Sequence, residues 1–327
     1  MTYTPKTFVF AVVILMVMPV MAKKKFAITT GDENLAALTK ITDNEEPCMF
    51  PFGGADGKDL FFAARENKKY WNIYKKDNAF SSAMTQKTNG KNNNTSPFYC
   101  AATDKIVFSC QNEGSSTSDI FMMSGTKGKA LTQITESSNA YEDNPCFNQD
   151  GSMLVYDKVL YSYFRKAYGF FGLATNTIIV QNSEIWLRNM KTGENTLIAA
   201  GYQPTFSPDG KRIAYVKYSS DAKSCSIWLM NNDGTDQVQL TDAKKGYAYY
   251  PRWSPDGSKI IFQSYKKDKK DFDLYVVDTD GNNLIQVTKN KSNDRMPYWA
   301  ADGYIYFVSD RGNDAGNEQI WRFKAEF

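Results

Sequence analysis

One short motif recurs six times along the chain, and this repeat limits the available folds more than any other feature of the sequence. Its copies begin at Pro51, Pro97, Pro145, Pro204, Pro251 and Pro297. The clearest copy reads PTFSPDGKRIAY, and successive prolines lie 46, 48, 59, 47 and 46 residues apart. A period in the forties is typical of small structural units that bury their apolar surface only by stacking on their neighbours. The sequence therefore predicts a repeat protein.

Each copy runs through the same order of elements. The proline segment is the first strand of the unit, and an apolar strand such as Arg212 to Tyr215 follows it. A third strand, such as Ser226 to Asn231, leads to a fourth that usually ends in an apolar residue and a threonine, as in Leu240-Thr241. Four short antiparallel strands per unit, without amphipathic segments of helix length, match a propeller blade better than a sandwich or a solenoid. We predict an all-β, six-bladed β-propeller with four-stranded blades around a channel.

An Asp-Gly pair lies between the first two strands of five copies, and the second copy has Ala102-Thr103 in its place. Glycine and aspartate tolerate the positive φ that tight hairpins require. We therefore interpret Asp-Gly as a two-residue hairpin with a structural role.

The last repeat lacks one strand. After Gly303 there is room for two strands before the chain ends at Phe327, so the outer strand of this blade is missing. The N-terminal segment LTKIT, Leu38 to Thr42, resembles LTQIT at Leu131 to Thr135 and lies at a similar distance before a repeat proline. We predict that it pairs with the C-terminal strand and removes an exposed sheet edge. The propeller would then span residues 35–327.

The N-terminus is typical of an export signal. Lys6 precedes an apolar run from Phe8 to Val20. Val20-Met21-Ala22 places small residues where a signal peptidase would cut, and we expect cleavage after Ala22. Lys23-Lys24-Lys25 argue against the alternative, an uncleaved membrane anchor. No cysteine lies near this site, so a lipid anchor is not expected. We predict a signal peptide over residues 1–22, an extension over 23–34 and a periplasmic or cell-surface protein without a stable membrane span.

The tandem P-x-aromatic-S-P-D-G units, together with FVSDRGNDAGNEQIWRF at Phe307 to Phe323, resemble the WD-like repeats of TolB-type propellers. The resemblance covers the chain from about Leu35 to Phe327 and implies the fold but not an activity. TolB proteins also carry an N-terminal α/β domain, which that family uses to engage its inner-membrane partner. We expect no such domain here.

Composition narrows the classes of function. The sequence has no histidine, which excludes His-dependent catalysis. It is 42% hydrophobic with a net charge of +3, so it can bury a core and has no charge excess that would indicate nucleic-acid binding. We expect a monomer.

The five cysteines form no C-x-x-C pair, and an odd number leaves at least one unpaired. They are Cys48, Cys100, Cys110, Cys146 and Cys225. We expect buried small hydrophobes rather than a zinc site.

Alternating strand directions predict where a partner would bind. The loops before the prolines and the loops between the second and third strands of each blade share one face, which we call the loop face. Its residues nearest the channel should be Glu45, Glu46, Asn93, Asn94, Glu142, Asp143, Asn144, Tyr202, Gln203, Tyr249, Tyr250, Asp294 and Arg295. This mixed set suits a peptide, a sugar or a cation. The alternative is a wet channel that binds nothing specific.

Blade three exceeds the period by about a dozen residues, and the extra length lies between its second and third strands, on the loop face. The insert reads YSYFRKAYGFFGL, with Tyr161, Tyr163, Phe164, Arg165, Tyr168, Phe170 and Phe171 as candidate partner-binding residues. Aromatic residues with arginine are typical of interface anchors and also suit sugar stacking. The alternative is a long hairpin that packs its rings on its own blade.

These features favour a non-catalytic binding or scaffold propeller of the bacterial cell envelope, which recognises a protein or glycan through the loop face. We predict no catalytic residue, metal or cofactor for it. The competing class is a calcium-dependent hydrolase of the lactonase or esterase kind, in which Glu46, Asn94, Glu142 and Asp294 would supply oxygen ligands to a channel calcium.

Overall fold

In the computed structural model, the described residues are 35–54, 58–66, 69–126, 130–168, 173–220, 223–242, 246–265, 271–312 and 317–327. Of residues 66, 161–168 and 173–182 only the backbone is described. The predicted signal peptide and the extension over 23–34 lie outside these ranges. Within them, no helix is long and apolar enough to cross a membrane.

The described residues form 24 strands in six antiparallel blades, and a single parallel pairing, Cys225 with Tyr247, also joins blades four and five. Blade one contains β2 (Cys48–Gly53), β3 (Leu60–Glu66), β4 (Tyr70–Lys76) and β5 (Thr85–Gln86). Blade two contains β6 (Asn93–Cys100), β7 (Lys105–Gln111), β8 (Asp119–Ser124) and β9 (Thr132–Gln133). Blade three contains β10 (Ala140–Phe147), β11 (Met153–Tyr168), β12 (Leu173–Asn189) and β13 (Asn195–Ala200).

The second half of the chain repeats this arrangement. Blade four contains β14 (Tyr202–Phe206), β15 (Arg212–Tyr218), β16 (Cys225–Asn231) and β17 (Val238–Gln239). Blade five contains β18 (Tyr247–Trp253), β19 (Lys259–Tyr265), β20 (Asp273–Asp278) and β21 (Ile285–Gln286). Blade six contains β22 (Asp294–Trp299), β23 (Tyr304–Ser309), β24 (Gln319–Lys324) and, as its outer strand, β1 (Thr39–Lys40). The predicted fold class is confirmed.

The N-terminal strand completes the last blade as predicted. Strand β1 pairs antiparallel with β24, and the Ile41 N–H donates to the Ile320 carbonyl at 2.8 Å. The Ile320 N–H in turn donates to Thr42 Oγ1 at 2.9 Å. Blade four has the same bond, from the Ile227 N–H to Thr241 Oγ1 at 2.9 Å. The recurring apolar-Thr pair therefore caps the third strand of a blade with a threonine hydroxyl, and Thr42 supplies that cap for blade six.

The core lies between the blades. Each of six apolar clusters joins two consecutive blades, in cyclic order. In the cluster that joins blade one to blade six, Leu60 and Phe62 pack with Tyr306 and Ile320, all almost fully buried. All five cysteines are free and buried, as expected for small apolar residues. The blades therefore pack face to face around the ring, as we predicted from the sequence repeat.

The Asp-Gly turn is longer than predicted. Ser207 N–H donates to the Arg212 carbonyl at 2.8 Å, so four residues form the loop rather than two. Gly210 has a φ of 70°, which confirms the need for a residue that tolerates the left-handed region. Asp209 Oδ1 accepts hydrogen bonds from Ser207 Oγ at 2.6 Å and from the Lys211 N–H at 3.1 Å. The aspartate thus holds the turn together, as its structural interpretation required.

Candidate functional site

A bulge in the inner strand of every blade shapes the channel. The strand register shifts at each residue-proline pair, where one extra residue is inserted. The residues before the prolines all have φ between 50° and 54°: Phe50, Ser96, Asn144, Gln203, Tyr250 and Met296. Such a φ is uncommon for residues other than glycine and costs on the order of 1 kcal/mol or more. Its sixfold recurrence at one position means that the repeat enforces it.

In three of these bulges, the backbone N–H of the bulge residue donates a hydrogen bond to a side chain of the preceding blade. The Gln203 N–H donates to Asp157 Oδ2 at 2.6 Å, and the Tyr250 N–H donates to Gln203 Oε1 at 2.8 Å. The Met296 N–H donates to Gln263 Oε1 at 2.7 Å. Gln203, predicted to border the channel, therefore joins blade four to blade five.

The structure corrects the predicted orientation of the residues three positions before each proline. Asn94, Glu142 and Asp294 are 2%, 1% and 0% exposed, respectively, and face the preceding blade or their own blade instead of the channel. Asn94 Nδ2 donates to the Trp71 carbonyl at 3.3 Å, and Asp294 Oδ2 accepts from Arg311 Nη2 at 2.5 Å. The bulge residues Ser96, Asn144 and Met296 line the cavity in the channel instead.

The proposed calcium ligands do not converge for the same reason. Asn94 is bonded to blade one, Glu142 and Asp294 are each paired within their own blades, and Glu46 is half-buried beside Gln319, whose Nε2 donates to the Glu46 carbonyl at 3.1 Å. No group of three or more Asp, Glu, Cys or His side chains in the described part of the chain is arranged to hold a metal ion. These four residues therefore do not fit a channel calcium.

An acid pair, Asp143 and Asp157, lies beside the channel on adjacent strands of blade three, in direct register. Asp157 is 2% exposed, and its Oδ2 accepts from Asn144 Nδ2 at 3.0 Å and from the Gln203 N–H. Burial, together with the charge of Asp143, raises the pKa of Asp157 to about 8. Burial also raises the pKa of the partly exposed Asp143. Two close carboxyl groups cannot both ionise freely, so the pair holds a proton near neutral pH.

Aromatic side chains fill the channel at the level of the prolines. The ring of Phe52 lies 4.3 Å from that of Phe98 and 4.5 Å from that of Tyr298, measured between centroids. Arg252 lies among these groups, and burial lowers its pKa. The cavity left there is about 20 Å³. Such a cavity holds one or two water molecules, so a larger ligand has to bind at the channel mouth.

Six aromatic residues form what we call the tyrosine cluster, at the loop-face ends of blades four and five. They are Tyr202, Tyr218, Tyr247, Tyr249, Tyr265 and Phe272. The rings of Tyr247 and Tyr265 stack at 4.8 Å, and the hydroxyls of Tyr218 and Tyr249 lie 3.0 Å apart. The five tyrosines are half-buried, so each retains some exposed surface.

The tyrosine cluster adjoins the acid pair. Burial raises the pKa of Tyr202, and the negative charge of nearby Asp157 raises it further. Burial likewise raises the pKa of Tyr218 and of Tyr249, so these hydroxyls stay protonated and can donate hydrogen bonds. Sequence reasoning selected Tyr202 and Tyr249 from the residues before the prolines. It missed Tyr218, Tyr247, Tyr265 and Phe272, whose only signal was an aromatic residue at or next to the loop-face end of a strand.

Arg295, Tyr250 and the blade-three insert complete the predicted set. Arg295 forms an ion pair with Glu318, and the half-buried ring of Tyr250 lies 6.4 Å from that of Phe50. Strands β11 and β12 form a long hairpin that pairs as far as Tyr168 with Leu173, which confirms an extension of blade three. Phe170 and Phe171 lie outside the described residues, as do the other side chains of the insert. Their predicted role in binding stays a prediction.

Comparisons with known proteins agree with this architecture. Residues 192–326 match the family model of the TolB beta propeller domain. A protein from Agrobacterium tumefaciens assigned as a TolB gives a TM-score of 0.60 at 18% identity, covering 88% of this chain and 93% of its own. TolB from Acinetobacter baumannii gives 0.60 at 15% identity, covering 84% of this chain and 65% of its own.

An enzyme is among the similar structures as well. Oligogalacturonate lyase from Vibrio parahaemolyticus gives a TM-score of 0.58 at 15% identity, covering 91% of this chain and 96% of its own. No curated protein matches the sequence significantly. At such identities, likeness to a structure establishes the fold and leaves the activity open.

Proposed function

We propose that this chain, whose fold is a TolB-type β-propeller, is a non-catalytic binding protein of the bacterial cell envelope that holds a polypeptide partner on its loop face. The half-buried tyrosine cluster on the loop face of blades four and five is the observation that carries the proposal. Tyrosine is enriched at protein interfaces because its ring contributes apolar area and its hydroxyl a hydrogen bond.

Charged groups next to the cluster support a polypeptide rather than a sugar. Asp157 lies near Tyr202, its strand neighbour Asp143 is partly exposed, and the Arg295–Glu318 pair lies in the blade next to blade five. A central aromatic patch with charges of both signs around it is the usual composition of an interface core and its rim. The aromatic residues predicted in the blade-three insert, on the same face, would extend this surface.

The N-terminal sequence supports a location in the envelope. Lys6, the apolar run from Phe8 to Val20 and the small residue Ala22 have the order of charge, hydrophobicity and cleavage site found in export signals. We propose that the propeller is released into the periplasm or to the cell surface.

A calcium-dependent hydrolase is less well supported. Its proposed ligands Asn94, Glu142 and Asp294 are engaged in bonds between or within blades. The sequence has no histidine to act as a general base. Calcium that raised the melting temperature of the protein by several degrees would favour this class over the binding function.

The experiment is capture of partners from envelope extract by residues 23–327, followed by measurement of Kd with each purified candidate. The test variant is the double substitution Tyr247→Ala and Tyr265→Ala, which removes the stacked pair. The matched control is Tyr70→Ala, because Tyr70 is a half-buried tyrosine of blade one bonded to Glu113 at 2.6 Å, outside the cluster. Removing an aromatic anchor should weaken binding by about tenfold or more, whereas Tyr70→Ala should not.

A glycan array with the same proteins provides the other arm. A polypeptide whose binding requires the stacked tyrosines supports the proposal. Retention of a glycan alone, or of polypeptides that bind the double variant equally well, would reject it.

A further inference from the structure

The small cavity at the level of the prolines, which we call the channel cavity, is lined mainly by apolar residues. Four repeat prolines, three phenylalanines and a methionine form most of its wall, and a proline has no N–H to donate. They are Pro51, Pro97, Pro145, Pro297, Phe50, Phe52, Phe98 and Met296. Such groups solvate a charge poorly, so an ion among them needs an opposite charge close by.

One residue of this wall carries a full charge. Arg252 lines the channel cavity and is half-buried, so it retains accessible surface inside the ring. Burial lowers the pKa of Arg252, but an arginine stays protonated at neutral pH. Arg252 directly follows the proline of its repeat, and the residues at this position in the other five blades are uncharged: Phe52, Phe98, Cys146, Thr205 and Tyr298. The positive charge is therefore specific to blade five and is not a feature of the repeat.

No carboxylate in the described part of the chain balances this charge. Arg252 Nη1 donates to the carbonyl of Pro251 at 3.1 Å, and Arg252 forms no ion pair with another described residue. The groups whose charges affect the pKa of Arg252 are Cys146, Tyr250 and Tyr298. Burial raises the pKa of each of these three groups, so all of them are neutral at pH 7. A buried cation without a counter-charge is unfavourable, and an anion beside it would offset this effect.

The neighbouring charged groups do not supply that anion. The acid pair raises the pKa of Tyr250, but it is not among the groups whose charges affect Arg252. Arg295, which also lies near Tyr250, is paired with Glu318. Of the described residues that line the channel cavity, none is acidic. The cavity therefore has a positive wall and no negative one.

Tyr250 provides a second hydrogen-bond donor in the same place. It lines the channel cavity, and its hydroxyl makes no hydrogen bond with another described residue. Because burial raises the pKa of Tyr250, the hydroxyl keeps its proton and can donate to an acceptor. A guanidinium and a phenol are both donors, so they suit an anion better than a cation.

The size of the cavity restricts the anion. A volume of about 20 Å³ accepts a species of roughly the size of a water molecule. Sulfate, phosphate and carboxylic acids are much larger than this, whereas a halide is a single atom.

We propose that the channel cavity binds a halide ion, chloride under physiological conditions, which accepts hydrogen bonds from the guanidinium of Arg252 and the hydroxyl of Tyr250. The ion would neutralise the one charge that blade five places where the six blades meet, and it would thereby stabilise the ring. This site lies inside the ring and not in the tyrosine cluster, so the proposal is independent of the proposed function.

The test compares melting temperatures of residues 23–327 at pH 7 in sodium chloride and in sodium gluconate at equal ionic strength. Gluconate carries the same charge and is too large for the cavity. The melting temperature should rise by about 2–4 °C as chloride replaces gluconate and then level off, because a ligand that binds only the folded protein stabilises it. Arg252→Thr, which introduces the residue of blade four, should show no rise. Arg188→Gln, which changes an arginine bonded to Asn195 in the outer strands of blade three, should show the full rise.

Crystals grown in sodium bromide locate the ion, because bromide gives an anomalous signal. Bromide in contact with the guanidinium of Arg252 supports the proposal, and this measurement decides the case if Arg252→Thr does not fold. Equal melting temperatures of the wild type in both salts, an equal rise in folded Arg252→Thr, or bromide that is absent from the channel cavity would overturn it.

Discussion

Removal of the N-terminal strand should destabilise the whole ring rather than one blade. The perturbation is a chain that starts at residue 43, compared with a chain that starts at residue 35. The shorter chain lacks β1 and Thr42, so blade six keeps three strands and β24 becomes an exposed edge. The longer chain retains every described contact of this segment and is therefore the matched control.

The structure gives the magnitude. The segment makes backbone hydrogen bonds from Ile41 and Thr42 to the Ile320 carbonyl, and its Ala36 carbonyl accepts from the Lys324 N–H at 2.8 Å. These bonds, with the Thr42 hydroxyl cap, contribute about 1 kcal/mol each. Burial of Ile41, which is 6% exposed, adds about 2 kcal/mol. The buried ammonium of Lys76, which donates to the Ile41 carbonyl at 2.7 Å, would also lose its acceptor.

The sum is on the order of 6 kcal/mol, a large part of the 5–15 kcal/mol that stabilises a typical domain. At about 2–4 °C per kcal/mol, the melting temperature should fall by roughly 12–24 °C. Calorimetry of both chains at equal concentration measures this difference, and size-exclusion chromatography reports association through the exposed edge. Two chains that melt within about 2 °C of each other would contradict this prediction, because the pairing of β1 with β24 would then not stabilise the protein measurably.

Other predictions address single features. Asp157→Asn should be increasingly more stable than the wild type as pH rises. The pKa of Asp157 is raised to about 8 in the folded protein, so the wild type binds a proton on folding between about pH 4 and 8. Over this range its free energy of unfolding should therefore fall by up to about 1.4 kcal/mol per pH unit. A difference in free energy of unfolding between the two proteins, measured by chemical denaturation, that stays constant across that pH range would contradict this. Gly257 has a φ of 72°, so Gly257→Ala should lower the free energy of unfolding, measured in urea, by about 1 kcal/mol. Ser258→Ala is the control that shows the effect of losing side-chain hydrogen bonds in the same turn. Replacement of Tyr163, Phe164 and Phe171 by alanine should abolish binding of the captured partner, and unchanged affinity would remove the insert from the interface.

The sequence determined the features that each repeat contains within itself. The spacing of the prolines predicted the number of blades, and the similarity of Leu38–Thr42 to Leu131–Thr135 predicted which strand completes the last one. Both succeed because a local hydrogen-bond pattern, such as the threonine cap from Thr42 to the Ile320 N–H, recurs with the same residue types. The Asp-Gly pair identified a left-handed turn in the same way, although its loop length depends on hydrogen bonds that the residue types do not specify.

Which side chains contact each other depends on the tertiary structure. The bulge before each proline inserts one residue, and the side chains at the channel cavity are those of the bulge, such as Ser96, Asn144 and Met296, whereas Asn94, Glu142 and Asp294 are buried against the blades. Asp157 joins Asp143 only because two strands pair in register, and the tyrosine cluster combines strands of two blades. Such contacts link residues far apart in sequence and arise when the blades stack into a ring. No single repeat therefore specifies them.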